Sequence, residues 1–93
     1  MTECTATQLI DDARVRVTRF DFEPGQATGW HVHAHDYVIT AITPCHMRIE
    51  LPDGENSEVH VAAGDAYRRD KGVEHNVINA GDATMRFVEV ELK

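Results

Sequence analysis

Apolar residues recur at every second position along much of this chain, and that period constrains the fold more than any other feature. ARVRVTRFDF sets Val15 and Val17 against Arg14 and Arg16, then reaches Phe20 and Phe22 before the breaker Pro24-Gly25. YVITAIT is β-branched and continuous enough for a well-buried strand. HMRIEL alternates Met47, Ile49 and Leu51 with Arg48 and Glu50, and Asp53-Gly54 behind it favours a tight hairpin. EVHVA, AYRR, EHNVIN and TMRFVEVEL follow, separated by turn signals at Gly64-Asp65, Asp70-Lys71-Gly72 and the AGDA segment at residues 80–83. No segment carries a sustained helical stripe with caps. About eight to ten short strands at regular spacing predict an all-β sandwich or barrel.

The 93 residues make one domain, 1–93, with no linker, low-complexity run or internal repeat. A chain of this size buries only about 60–65% of the surface it exposes unfolded, so a metal, a second copy or sheet closure would each add stability. The net charge of -7 argues against a nucleic-acid backbone or an anionic membrane as partner, and leaves small molecules open. Two cysteines, Cys4 and Cys45, are too few for a disulfide scaffold and read as free packing residues. The N-terminal stretch shows no secretory pattern, and no apolar run is long enough to span a bilayer. The expectation is a cytoplasmic protein.

GWHVHAHDYV puts His31, His33 and His35 at alternate positions. On a strand these three and Tyr37 share one face, with Val32, Ala34, Asp36 and Val38 on the other. A His-x-His pair suits two adjacent positions on one metal ion, and further ligands must come from elsewhere in the chain. A pH-sensitive patch or an accident of composition would also place imidazoles here. Of the remaining histidines, His75 follows a turn at Gly72 and precedes Asn79, which reads as a turn-fixing residue. His46 and His60 lie among apolar neighbours with no partner at ligand spacing and read as surface residues. Trp30 reads as packing on the outer face. Arg68 and Arg69 alternate, so at most one of them points inward, where it would draw a carboxylate substrate.

Together the two histidine regions resemble the paired signature of the cupin family. Gly25, five residues and His31-Val32-His33 fit the first motif. Gly64, five residues, Asp70-Lys71-Gly72, two residues, His75, three residues and Asn79 fit the second at every place but its proline, which is Asp70. The match spans residues 25–79. The first motif's glutamate falls at Tyr37 or Val38, and its closing glycine at Pro44. The resemblance implies a small single-domain cupin barrel, an antiparallel double-stranded β-helix or jelly roll. It implies His31, His33 and His75 as ligands of one divalent metal per chain, without the usual carboxylate.

A three-histidine set is similar to that of the cupin thiol and diketone dioxygenases, so Fe(II) is favoured over Zn, Mn or Ni. The finer pattern looks like the small bacterial cupins labelled β-alanine degradation proteins. The resemblance implies a metal-dependent, dioxygenase-like enzyme acting on a small chelating metabolite, with His35 and Tyr37 at the barrel mouth as catalytic candidates. Related isomerase or decarboxylase chemistry, or a non-catalytic module that binds a metabolite or metal, are the other readings. The long segments ARVRVTRFDF and TMRFVEVEL, read as exposed edges, and the family's habit of pairing barrels predict a homodimer.

Overall fold

The alternating segments form strands in a computed structural model that describes residues 2–93. In chain order these are β1 Thr5–Asp11, β2 Val15–Phe22, β3 His31–Val32, β4 Asp36–Ala41, β5 Cys45–Glu50, β6 Asn56–Val61, β7 Ala66–Arg69, β8 Glu74–Asn79 and β9 Met85–Leu92. They make two antiparallel sheets, ordered β1-β2-β9-β4-β7 and β3-β8-β5-β6. The described residues hold no helix long and apolar enough to cross a membrane.

The core lies between the sheets and follows directly from the period of two. In β4, Tyr37, Ile39 and Ala41 are buried while Asp36, Val38 and Thr40 are not, so YVITAIT is half buried by alternation rather than buried throughout. In β9 the inward positions are Met85, Phe87 and Glu89. Met47 and Val77 meet them from the second sheet. The Phe87 ring packs between Phe20 and Phe22 with centroids 5.4 Å from each, and a buried side chain of this size contributes about 1.5–3 kcal/mol. Cys4 and Cys45 are free thiols, and burial pushes both above the ordinary thiol range, Cys4 to about 11, which keeps them unreactive.

The edge-based argument for a homodimer does not hold as stated. Val15–Phe22 pairs on one side with β1 and on the other with β9, and β9 pairs with both β2 and β4, so neither long strand is an edge. The edges are β1 and β7 in one sheet and β3 and β6 in the other. β1 carries no apolar inward face and leaves Leu9 and Ile10 half exposed; its backbone ladder to β2 and the ion pairs of Asp11 with Arg16 and Lys93 hold it. The exposed apolar edge of this sheet is therefore at Thr5–Asp11.

Candidate metal centre

His31 and His75 are directly opposite each other on β3 and β8, so register alone brings their rings to one face. His33 lies beyond the last residue of β3, yet the ladder continues: its N–H donates to the Val73 carbonyl at 2.9 Å and its carbonyl accepts the Gly72 N–H at 2.8 Å. Gly72 has φ +96°, a conformation that side chains rarely adopt, which is what turns the chain back onto His33. Gly29, at φ +84°, does the same ahead of β3 and aims its carbonyl at the His31 ring.

The three Nε2 atoms meet at 3.0 Å (His31 to His33), 3.0 Å (His33 to His75) and 3.1 Å (His75 to His31). A carbonyl can only accept, so the 2.9 Å contact from His31 Nδ1 to the Gly29 oxygen puts the proton on Nδ1 and leaves Nε2 a bare lone pair. The Glu89 carboxylate, 3.3 Å from His33 Nδ1, favours the same tautomer there. The His31 and His33 lone pairs, 3.0 Å apart, repel unless a proton or a metal cation sits between them. Nitrogens about 2.1 Å from an ion lie about 3.0 Å apart when the ligand angles are near 90°, and about 3.4 Å apart at the tetrahedral angle. The spacing fits three facial positions of a six-coordinate ion.

Burial pushes His33 and His75 down to about 4, and the positive form of His31 adds to the effect at both. Both are therefore neutral at physiological pH and ready to ligate. The same shifts make metal-free stability depend on pH. Above 6.5 these imidazoles are neutral in folded and unfolded chains alike, whereas between 6.5 and about 4 only the unfolded chain takes up their protons. Urea midpoints of metal-free protein should fall as pH is lowered through that window. The fall should be shallower in a His33→Leu, His75→Leu variant; equal falls in both proteins would contradict this account.

Tyr37, at the family's glutamate position, is 2% exposed and stacks on His33, with ring centroids 3.8 Å apart and planes 19° from parallel. Burial raises its phenol well above the usual range, so it stays protonated. The carboxyl missing from position 37 is supplied by the neighbouring strand of the same sheet, where Glu89 is opposite Ile39. Glu89 stands on β9 among the core residues, and burial, then Glu91, pushes its carboxyl up to about 7. The alternation of Met85, Phe87 and Glu89 in the last strand was the signal that could have found it.

The three histidines, Tyr37 and Glu89 line a central cavity with about 20 Å³ of free space, enough for an ion or one water. Two recesses flank it. One of about 330 Å³ is bordered by Arg16, Glu89 and Glu91, and the other, of about 200 Å³, by Tyr67, Arg69 and Val73.

The structure does not bring His35 into this group. The chain bends at Ala34-His35 between β3 and β4, and His35 lines neither the cavity nor its recesses. The expected common face of residues 31, 33, 35 and 37 therefore breaks at that bend. Arg69 lines a recess while Arg68 turns out to pair with Asp36, in keeping with their alternation. Trp30 is exposed, away from the core.

His46 and His60, expected to have no partner, are cross-strand neighbours on β5 and β6, and His46 also bonds Glu58. Their rings stack at 4.1 Å with planes 21° from parallel. His46, Glu58 and His60 bring one ligand atom each within 4.8 Å of one another, a second grouping that could hold an ion, but it is more exposed than the first.

A model of the cupin domain matches residues 18–91. The chain belongs to the cupin family. This cupin is 44% identical over 91 residues to the β-alanine degradation protein BauB of Pseudomonas aeruginosa, covering 98% of this chain and 95% of that one. Among solved structures it resembles a cupin domain from Bordetella pertussis, with a TM-score of 0.93 and 42% identity over 99% of this chain and 95% of the other. It also resembles the polyketide cyclase RemF from Streptomyces resistomycificus, with a TM-score of 0.75 and 28% identity, covering 97% of this cupin and 65% of that chain. The two facing antiparallel sheets are thus the cupin double-stranded β-helix.

Proposed function

We propose that this cupin is a metal-dependent enzyme of the dioxygenase type, holding Fe(II) between His31, His33 and His75 and acting on a small chelating metabolite. The observation that carries the reading is the mutual approach of the three Nε2 atoms to 3.0–3.1 Å. An ion held there supplies Lewis acidity and open positions for a chelating substrate and for oxygen. Glu89 fixes the His33 ring and offsets positive charge through it. Tyr37, kept as a neutral phenol against His33, is the group that donates a hydrogen bond to substrate. The central cavity is too small for a metabolite, so the substrate body rests in a flanking recess and only its donor atoms reach inward. The name of BauB points to the breakdown of a small amino acid, and RemF is a catalyst on the same scaffold.

The test is oxygen uptake by protein reconstituted anaerobically with Fe(II), Mn(II), Ni(II) or Zn(II), offered small acids that bear a second thiol, hydroxyl, keto or amino donor. Uptake with Fe(II) alone, dependent on one of those acids, is the expected result. Tight metal binding with no turnover of any of them would move the reading to a non-catalytic binding module.

A further inference from the structure

The two recesses beside the histidines carry opposite charge. In the larger one the single cation, Arg16, is matched by Asp11 and Glu91, and Glu89 adds a further carboxylate. The smaller one is walled by Tyr37, Ile49, Tyr67 and Val73, with Arg69 at its rim and His75 where it meets the central cavity. Arg69, like Arg14, Arg48 and Lys71, pairs with no carboxylate among the described residues, whereas Arg16, Arg19, Arg68, Arg86 and Lys93 do. Of the four without a partner, Arg69 is the one that borders a recess beside the histidines. Its guanidinium lies 4.7 Å from the centroid of the Tyr67 ring, and its Nη1 donates to the Arg68 carbonyl at 2.8 Å, which fixes the fork in place. A positioned guanidinium with donors to spare, over an apolar floor, is a geometry suited to an anion, and it acts locally against the net charge of -7.

We propose that Arg69 selects substrates bearing a carboxylate. The acid group binds at the rim, a short apolar segment lies against Tyr67 and Val73, and the other end of the molecule points past His75 toward the histidine cluster. The recess, about 200 Å³, is below the size of drug-like ligand sites and sets the class as small monocarboxylic acids. Only the orientation toward the histidines rests on the metal reading; the anion site stands on Arg69 and the recess alone.

The probes are propionate and its neutral isostere propionamide, with dissociation constants from NMR shift titrations of zinc-loaded and metal-free protein. Wild type should bind propionate about tenfold more tightly than propionamide, the discrimination expected of a charge-assisted contact. Arg69→Met should erase the difference, Arg69→Lys should keep part of it, and Arg68→Met should leave it intact. Equal binding of the two probes, no binding of either, or equal loss in Arg68→Met and Arg69→Met would overturn the proposal. Discrimination that persists in metal-free protein upholds the anion site even where the metal reading fails.

Discussion

Alanine at His33 or at His75 should take bound metal from about one equivalent per chain to a small fraction of that, after purification without chelators. Either change removes one of three converging nitrogens and leaves two, a set that no longer encloses an ion. Perturbing an outer partner of a ligating histidine already costs about 10–100-fold in affinity, and loss of a ligand should cost more. Glu89→Gln should fall in that 10–100-fold range, because the Glu89 carboxyl meets a ligating histidine at His33 Nδ1, on the side of the ring away from the cluster. His35→Ala should keep full occupancy, as should His46→Ala, since neither side chain reaches the cavity. Mass spectrometry of metal content, beside circular dichroism of the metal-free variants, separates lost ligation from lost folding. Full occupancy in a folded His33→Ala, His75→Ala double variant would remove the centre from these residues. Loss of metal in His35→Ala would restore that residue to the site.

The strands with an apolar face were legible because burial on one side enforces a period of two. AYRR and EHNVIN have the observed bounds, and the others differ by one or two residues at most ends. β1 was invisible to that reasoning: TATQLID buries no face, and its pairing with β2 rests on the backbone ladder and the Asp11–Arg16 ion pair. His46 and His60 escaped for a matter of register. A two-residue turn at Asp53-Gly54 sets His46 opposite Val61; the observed connection runs through five residues centred on Asp53, closed by the Leu51–Glu55 contact, and sets it opposite His60. One residue of slip moves a side chain to the other face.

The site divides in the same way. His31, His33 and His75 could be picked out from spacing within a known pattern, because turns and register carry them to one point. His35 obeyed the alternation only as far as the strand continued, and the strand ends at Val32. Glu89 lay in plain view as an acidic residue in phase with Met85 and Phe87, which marks a carboxylate bound for the interior.

Asn79, the last residue of the second motif, should prove indispensable to the fold rather than to the metal. Its side chain is 2% exposed and ties three strands' ends together. Nδ2 donates to the Phe22 carbonyl at 3.2 Å and to the Ala83 carbonyl at 2.9 Å, and Oδ1 accepts the Gly81 N–H at 3.0 Å. The partner at Phe22 is buried and the other two are reached in part by water. A buried partner left unpaired costs about 1–3 kcal/mol, so Asn79→Ala should lower the unfolding free energy by about 2 kcal/mol. For a domain this small that is a fall of about 8 °C or more in Tm. Asn79→Asp decides between loss of polarity and loss of the donor. It keeps the acceptor for Gly81 but turns a carboxylate oxygen against two carbonyls, so at neutral pH it should destabilise at least as much as alanine. Urea unfolding of the metal-free proteins, read as a midpoint shift at constant slope, measures both. An Asn79→Asp protein as stable as wild type would mean that the Nδ2 contacts carry little energy, and that the turn at residues 80–84 is held by the Gly81 bond and the backbone alone.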